Sequence, residues 1–345
     1  MRRCLIVWLL LLSGALVACR QAPLYQQESF VFGTRVEILI AGLPEAKARP
    51  AAAAVLREFD RLHRTYHAWQ PSELSALNAA IAAGKSAEVT PEMASLIADA
   101  QRFSALSDGL FDPGIGHLIR LWGFQSDEFS AQLPAPNKLD AWHAAHPSIA
   151  DLKLDGRQLN SRNAHVALDF GGYLKGVALD RAVAILRTQG VDNALVNIGG
   201  NVIVLGTKNG ERWTVGIQHP RQNGPLATLE LDDGEAIGTS GDYQRFFELN
   251  GQRYCHLLDP RSGAPANQTQ SLTVLISPRA QAGTLSDAAS KPLFVAGDNW
   301  PSIAEKLAVG EVLRVDAQGR WQVSEKLYRR LKLTLAQPEG LQRIP

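Results

Sequence analysis

Hydrophobic residues in the N-terminal third follow first the period of a strand and then the period of a helix. Residues 30–40 carry apolar side chains in phase at positions 36, 38 and 40, which predicts a strand. Residues 50–68 place apolar side chains at 55, 59, 62 and 66, which predicts a helix with one buried face. A second helix is predicted to begin at Thr90-Pro91, a capping residue followed by proline, and to end at Asp108-Gly109.

The pattern changes at residue 166, where a short apolar run, a Gly-Gly pair and a helical stretch follow one another. This helix is predicted to end at Gly190, and residues 194–196 follow as a strand. Further elements are predicted as strands at 213–218, 226–231 and 271–277 and as a short helix at 302–308. Because strands and helices do not alternate strictly, the sequence predicts an α+β fold. Residues 125–165 show weak periodicity and are interpreted as a variable insertion.

The first 18 residues are interpreted as an export signal and not as part of the fold. Two arginines precede an apolar run over residues 5–12, and Leu-Val-Ala stands directly before Cys19. The apolar stretch is shorter than the roughly 20 residues that span a bilayer. We therefore expect cleavage before Cys19 and its lipidation, with a plain cleaved signal or an uncleaved anchor as alternatives. Residues 19–29 are then a tether, residues 30–335 one domain and residues 336–345 a tail.

Composition excludes some classes of partner and of covalent structure. The 35 basic residues are balanced by 34 acidic ones and are scattered among them, which argues against a nucleic-acid partner. Of the 3 cysteines, Cys4 falls in the signal and Cys19 is the expected lipid site. Cys255 is therefore alone in the body, so we expect no disulfide within the fold.

Three polar clusters could carry chemistry. In residues 169–176 a carboxylate at a predicted strand end, two glycines and Lys175 suit an anionic, phosphate-bearing ligand, although a solvated helix entry would look the same. Residues 238–243 form a hydroxyl-rich turn, and in residues 254–263 His256 ends a predicted strand beside a proline turn, a suitable place for a general base. Residues 286–291 are predicted to begin a helix that offers carboxylate and hydroxyl oxygens. His63 and His67 are interpreted as a solvated helix face, not as metal ligands.

Together with Gly33-Thr34 and the segments 72–78, 111–113 and 121–124, these clusters occur in an order that resembles the FAD:protein FMN transferase (ApbE) family. The resemblance runs from about residue 30 to residue 297. It implies a mixed α/β, ApbE-like fold that binds FAD, splits its pyrophosphate with Mg²⁺, releases AMP and attaches FMN to a Thr or Ser of a partner flavoprotein. Bacterial members are commonly exported lipoproteins, which agrees with attachment to a membrane through Cys19 and a periplasm-facing place in the cell envelope.

The resemblance also implies roles for individual residues. His256 would act as base on the acceptor hydroxyl, with Asp259 and Arg261 orienting its turn. A hydroxyl is a weak nucleophile until a base takes its proton, which agrees with that role. Phe32 stands where the family usually has a methionine, and Leu258 would contribute a backbone contact. The implied FAD-binding set is Phe32, Gly33, Thr34, Trp69, Leu110, Phe111, Asp112, Asp169, Lys175, Thr239, Ser240 and Leu258.

The implied metal site departs from the family pattern. The resemblance places a backbone carbonyl at Gly172, a carboxylate at Asp287 and a threonine at the position of Lys291. A charged lysine has no lone pair to give a metal. In one interpretation Ser290 or water completes the Mg²⁺ shell, and Pro292 shifts the helix start toward Ser290. In the other, the ammonium replaces part of the metal's charge, and transfer is weak, metal-independent or lost. An FAD-binding carrier and an FAD pyrophosphatase are the alternative functions.

Overall fold

A computed structural model describes residues 23–126, 130–334 and 340–344. The predicted signal at residues 1–18 and the lipidated Cys19 lie outside the described residues. Within these three ranges, no helix is both long enough and apolar enough to cross a membrane.

Nineteen strands occur in chain order among the described residues. They are β1 (Leu24–Val31), β2 (Thr34–Ala41), β3 (Ala87–Glu88), β4 (Leu152–Asp155), β5 (Gln158–Ser161), β6 (Ala194–Ile198), β7 (Asn201–Leu205), β8 (Trp213–Gln218), β9 (Pro225–Leu231), β10 (Ala236–Gly241), β11 (Phe246–Leu249), β12 (Gln252–Cys255), β13 (Leu258–Asp259), β14 (Ala264–Pro265), β15 (Thr269–Ile276), β16 (Val312–Asp316), β17 (Trp321–Ser324), β18 (Lys332–Leu333) and β19 (Gln342–Ile344).

The α-helices are α1 (Glu45–Thr65), α2 (Glu73–Ala82), α3 (Pro91–Leu106), α4 (Gly116–Leu121), α5 (Pro136–Ala145), α6 (Leu174–Thr188), α7 (Ala282–Ala296), α8 (Trp300–Lys306) and α9 (Glu325–Tyr328). Short 3-10 turns occur at Ile149–Asp151, Phe170–Gly172 and Gly297–Asn299.

One nine-stranded sheet organises the molecule, in the order β1-β2-β6-β7-β10-β15-β16-β17-β19. Its neighbouring strands are antiparallel except for β17 and β19, which are parallel. Helices α1, α6 and α7 contribute to the core on one face, where β2 directs Val36, Ile38 and Ile40. The opposite face packs against the smaller β18-β9-β8 sheet, and Ala41 and Leu195 point that way. This arrangement confirms the α+β prediction.

The predicted domain bounds, residues 30–335, leave out the edge strands at both ends of the large sheet. Residues 24–29, assigned to a tether, form most of β1, whose register pairs Leu24 with Ala41 and Val31 with Thr34. One side of an edge strand faces water, so β1 carries polar residues such as Gln26 and Glu28 and lacks a hydrophobic pattern. At the other end, β19 lies in the segment assigned to a tail and pairs with β17.

The predicted strand at 30–40 is two strands joined by a tight turn. Phe32 and Gly33 form the two-residue connection, with φ of 58° and 69°. Positive φ at both positions matches the twist of an antiparallel hairpin, but the usual residues are Asn and Gly. Phenylalanine at the first position therefore conceals the turn in the sequence.

Several helix boundaries also differ from the predictions. Helix α1 begins at Glu45 and contains Pro50, whereas α3 begins at Pro91 as predicted, with the Thr90 hydroxyl accepting a hydrogen bond from the amide of Met93 at 3.2 Å. Helix α2 and helix α5 were not predicted, although α5 lies in the segment interpreted as an insertion. No strand covers the described residues 166–169, where Ala167 makes an isolated bridge to Ile115.

Helix α7 begins at Ala282, well before the predicted start, and continues through Pro292. The cause is a carboxylate from another helix: Asp180 of α6 accepts hydrogen bonds from the amides of Gly283 and Thr284 at 2.9 and 2.8 Å. The same carboxylate accepts the Thr284 hydroxyl at 2.6 Å. These bonds satisfy amides that have no partner within their own helix. The proposed shift of the helix start toward Ser290 is therefore wrong.

Candidate active site

A cleft of about 670 Å³ opens beside the β1–β2 turn and the N-terminal end of α6. Its volume is within the range of small-molecule sites. Fifteen of the residues predicted to form the site line the cleft, and they are Phe32, Gly33, Thr34, Trp69, Leu110, Phe111, Asp112, Asp169, Gly172, Lys175, Thr239, Ser240, His256, Leu258 and Lys291. Asp259, Arg261, Asp287 and Ser290 are not among the lining residues.

The aromatic end of the cleft is built by the β1–β2 turn and the chain that follows α1. The ring of Phe32 packs against Phe59 and His63, with ring centroids 6.0 and 5.6 Å apart. His67 packs against His63 and Trp69, with centroids 5.0 and 4.8 Å apart. These contacts form a row of rings along one wall, a surface on which a planar heterocycle can stack.

The turn into α6 brings Gly171, Gly172 and Lys175 to the cleft. Asp169 is buried and its Oδ1 accepts a hydrogen bond from the amide of Gly171 at 2.9 Å, which fixes the glycine turn. Burial raises the pKa of the Asp169 carboxyl, while the Gly171 bond acts in the opposite direction. Lys175 follows in the first turn of α6 and also lines the cleft. A helix N-terminus beside a lysine suits an anionic group.

Asp112 also lines the cleft, and its carboxylate stabilises the surrounding backbone. Its Oδ1 accepts hydrogen bonds from the amides of Gly114 and Ile149 at 2.7 and 2.9 Å. The carboxylate thereby joins two chain segments that are distant in sequence. Burial raises the pKa of Asp112, and its hydrogen bonds oppose that rise.

His256 lies directly after β12, and its backbone and ring are held by the same carbonyl. The carbonyl oxygen of Arg245 accepts from the His256 amide at 3.0 Å and lies 3.2 Å from Nδ1. A carbonyl only accepts, so Nδ1 carries the proton and Nε2 of the neutral ring keeps its lone pair. Burial lowers the pKa of His256 to about 3, and the positive charge of Lys175 acts in the same direction. The ring is therefore neutral at physiological pH.

Asp259 and Arg261 hold the turn that follows His256. The Asp259 carboxylate accepts from the Arg261 amide at 2.9 Å and from its guanidinium at 2.7 Å. The Asp259 carbonyl also accepts the Gly263 amide at 2.8 Å, which closes the loop between β13 and β14. Neither residue lines the cleft, and their orienting role stays a prediction.

Asp287, Ser290 and Lys291 form a buried polar group on α7. One carboxylate oxygen of Asp287 forms an ion pair with the Lys291 ammonium, and the other accepts the amide of Gly176 at 2.9 Å. The Ser290 hydroxyl donates to the Asp287 carbonyl at 2.9 Å and lies 2.8 Å from the Ser240 hydroxyl. Burial lowers the pKa of Lys291 to about 8, against the opposite effect of Asp287. The ammonium form therefore predominates at neutral pH.

The sequence and the fold have counterparts among known proteins. The ApbE family model matches residues 32–313 of this chain. The chain belongs to the ApbE family. A curated relative, the FAD:protein FMN transferase of Rhodobacter capsulatus, is 39% identical over 325 residues, and the alignment covers 94% of this chain but 61% of that protein.

Two solved structures share the whole architecture. The ApbE protein of Thermotoga maritima has a TM-score of 0.80 and 30% identity, covering 89% of this chain and 99% of that one. The flavin transferase ApbE of Vibrio cholerae has a TM-score of 0.78 and 25% identity, covering 90% and 99%. The described fold is therefore that of an ApbE protein.

The magnesium site implied by the resemblance does not fit the residues present in this ApbE-family chain. Both carboxylate oxygens of Asp287 are engaged, one by a cation and one by an amide. Ser290 is fully buried and its hydroxyl is already bonded within the protein. The ammonium of Lys291 lies beside the one carboxylate that would otherwise bind the ion.

Among the lining residues that the sequence did not assign to the site, His63, His67 and Arg245 carry polar groups that matter for its chemistry. His63 and His67 were interpreted as a solvated helix face, but both line the cleft, and His67 lies beyond the end of α1. Their neighbour Trp69 was the available signal. Arg245 has no sequence signal, because its contribution is the carbonyl that holds His256 and the β11–β12 hairpin brings it there.

Proposed function

We propose that this chain is an FAD:protein FMN transferase, which moves FMN from FAD to a hydroxyl of an acceptor flavoprotein and releases AMP. The observation that carries the proposal is the orientation of His256. Its Nδ1 is committed to the Arg245 carbonyl, so Nε2 is available as an acceptor in a cleft that Lys175 and Lys291 also line. The names of the ApbE relatives supply the class of reaction, and the chain spans only 61% of the Rhodobacter protein's length.

In the proposed reaction His256 accepts the proton of an acceptor Thr or Ser hydroxyl through Nε2. The hydroxyl oxygen forms a bond to the phosphorus on the FMN side of the diphosphate. The bond between that phosphorus and the bridging oxygen breaks, and the bridging oxygen leaves with AMP. A neutral imidazole is suited to this role because a protonated one could not accept the proton.

Binding of FAD is assigned to the remaining lining residues. The row of rings at Phe32 and Trp69 provides a face for the flavin or the adenine. Lys175 and the start of α6 would face the diphosphate, because anions are favoured at a helix N-terminus. Thr239, Ser240 and the backbone of Leu258 would offer further polar contacts in the cleft.

The cellular setting is part of the proposal. Lipidation at Cys19 would hold the enzyme on the periplasmic side of the cell envelope, on either membrane. Its acceptor would be an exported or membrane redox flavoprotein with a short Thr- or Ser-containing motif. The near balance of 35 basic and 34 acidic residues agrees with a protein partner and not a nucleic acid.

Product analysis separates this function from its alternatives. The purified full chain is incubated with FAD and an acceptor domain, and flavins, AMP and acceptor mass are measured together. A transferase yields AMP and an acceptor heavier by one FMN, whereas a pyrophosphatase yields AMP and free FMN. A carrier returns FAD intact. The proposal fails if the acceptor keeps its original mass while AMP accumulates, or if no FAD is consumed.

A further inference from the structure

One positive charge that lines the cleft belongs to a lysine that an ion pair holds in place. Lys291 lines the cleft and its side chain is 14% exposed, while its partner Asp287 is 0% exposed. The ammonium also donates to the Asp287 carbonyl at 2.9 Å. Of this pair, only Lys291 belongs to the cleft lining.

The anchor is rigid because two helices meet there with no space between them. Asp287 also accepts the amide of Gly176 at 2.9 Å, which joins α7 to the first turn of α6. A Cβ on Gly176 would lie 2.7 Å from the Asp287 Cβ and 2.8 Å from the Thr284 Cα. The helices therefore cannot move closer, and the position of Lys291 is set by the fold.

A second cation, Lys175, lines the same cleft from α6, one residue before Gly176. The diphosphate of FAD carries two negative charges, which two ammonium groups can match. A divalent ion beside Asp287 would have to displace the Lys291 ammonium from its ion pair or bind next to it. The divalent ion and the Lys291 ammonium would then repel each other strongly, because the site is partly buried and water screens the charges poorly.

We propose that the Lys291 ammonium, held by Asp287 and working with Lys175, binds the FAD diphosphate in place of a divalent cation, so that this chain transfers FMN without a bound metal. The inference rests on the proposed function and gives it a specific requirement. Lys291 would contact the diphosphate and stabilise the charge that develops on the departing AMP. Asp287 is a positioning residue that acts through Lys291.

The first test needs no variant. FMN transfer by the full chain is measured with excess EDTA and with added Mg²⁺, and the two rates are expected to agree within about 2-fold, since no metal contributes to transition-state stabilisation. Loss of transfer in EDTA and its return with Mg²⁺ would overturn the inference while leaving the transferase proposal intact.

The second test measures the affinity for FAD in EDTA, and it decides the inference even if no transfer is found. Lys291→Met is expected to weaken FAD binding by about 10- to 100-fold, the value of a charge-assisted hydrogen bond. Lys306→Met is the matched control, because Lys306 pairs with Asp108 on the surface. It should change the affinity by less than about 2-fold. Equal FAD affinity of wild type and Lys291→Met would overturn the proposal.

Lys291→Met leaves the buried carboxylate of Asp287 without its cation, which could destabilise the fold. A second variant therefore removes both charges. In the double variant Asp287→Asn/Lys291→Met, the amide oxygen can still accept the Gly176 amide. This variant should lose FAD affinity to the same extent. Mg²⁺ alone is also titrated: the wild type should show no binding heat, whereas Lys291→Thr, which frees the Asp287 carboxylate, should bind the ion. Saturable Mg²⁺ binding by the wild type at the cleft would contradict the inference.

Discussion

Gly176 on α6 contacts Asp287 on α7, and Asp287 holds Lys291. Gly176→Ala therefore tests the packing of the two helices and the position of Lys291 together. The added Cβ would lie 2.7 Å from the Asp287 Cβ and 2.8 Å from the Thr284 Cα, and it would also meet the Gly283 carbonyl. Since these atoms belong to backbone or to a Cβ, neither helix can relieve the overlap by rotating a side chain. Helices α6 and α7 must separate.

The expected cost follows from three contributions. Overpacking costs about 1–3 kcal/mol, and stretching the bond between the Gly176 amide and the Asp287 carboxylate costs about 1.5–3 kcal/mol. Alanine is favoured over glycine in a helix by about 1 kcal/mol, which offsets part of this loss. The free energy of unfolding should therefore fall by about 1.5–5 kcal/mol. FAD affinity should fall as well, because Lys175 and Lys291 move apart.

The assay is equilibrium unfolding in urea followed by tryptophan fluorescence. Gly310→Ala is the matched control, because a Cβ at Gly310 meets no heavy atom within 4 Å and its φ is not positive. The control should change the free energy of unfolding by no more than about 0.5 kcal/mol. If the two variants unfold at the same urea concentration, the close approach of α6 and α7 is not a determinant of stability, and the argument for a rigid anchor at Asp287 is wrong.

Four further outcomes follow from other contacts. His256→Asn should lower single-turnover FMN transfer by about 10²- to 10⁴-fold with little change in FAD affinity, and an unchanged rate would remove His256 from the mechanism. Because burial lowers the pKa of His256 to about 3, the neutral base persists in mild acid, and kcat/KM for FAD should show no protonation step near pH 6.5. Burial raises the pKa of Cys255 to about 12, so iodoacetamide at pH 8 should label this thiol in urea but not in the native protein. Asp180→Ala removes the three hydrogen bonds at the start of α7 and should cost about 1–3 kcal/mol in urea unfolding, whereas the exposed Asp60→Ala should cost less than about 0.5 kcal/mol.

The sequence predicted helices and strands correctly where the capping residues or the hydrophobic pattern lie within the element itself. Helix α3 has a capping threonine and a proline at its start, and the strands at 194–198 and 213–218 are long enough to show their pattern. Helix α7 could not be placed in this way, because its N-terminus is capped by Asp180, more than one hundred residues earlier in the chain. Strand β1 was missed because its outer face is polar.

The site was predictable to the extent that single residues carry its chemistry. The glycine turn at Asp169, the candidate base His256 and the departure from the family pattern at Lys291 are all visible in the sequence. What the sequence could not provide is the bond between the Gly176 amide and the Asp287 carboxylate, because that bond depends on how closely α7 packs against α6. Nor could it provide the Arg245 carbonyl, because a backbone contact does not depend on the residue type.

Intact-mass measurement of an acceptor domain tests the central claim most directly. The full chain and FAD are incubated with the acceptor and, separately, with an acceptor in which the target threonine is replaced by valine. The account predicts that the threonine form gains the mass of one FMN, with one AMP released for each modified acceptor, and that the valine form gains nothing. An unmodified threonine acceptor beside accumulating free FMN would contradict it.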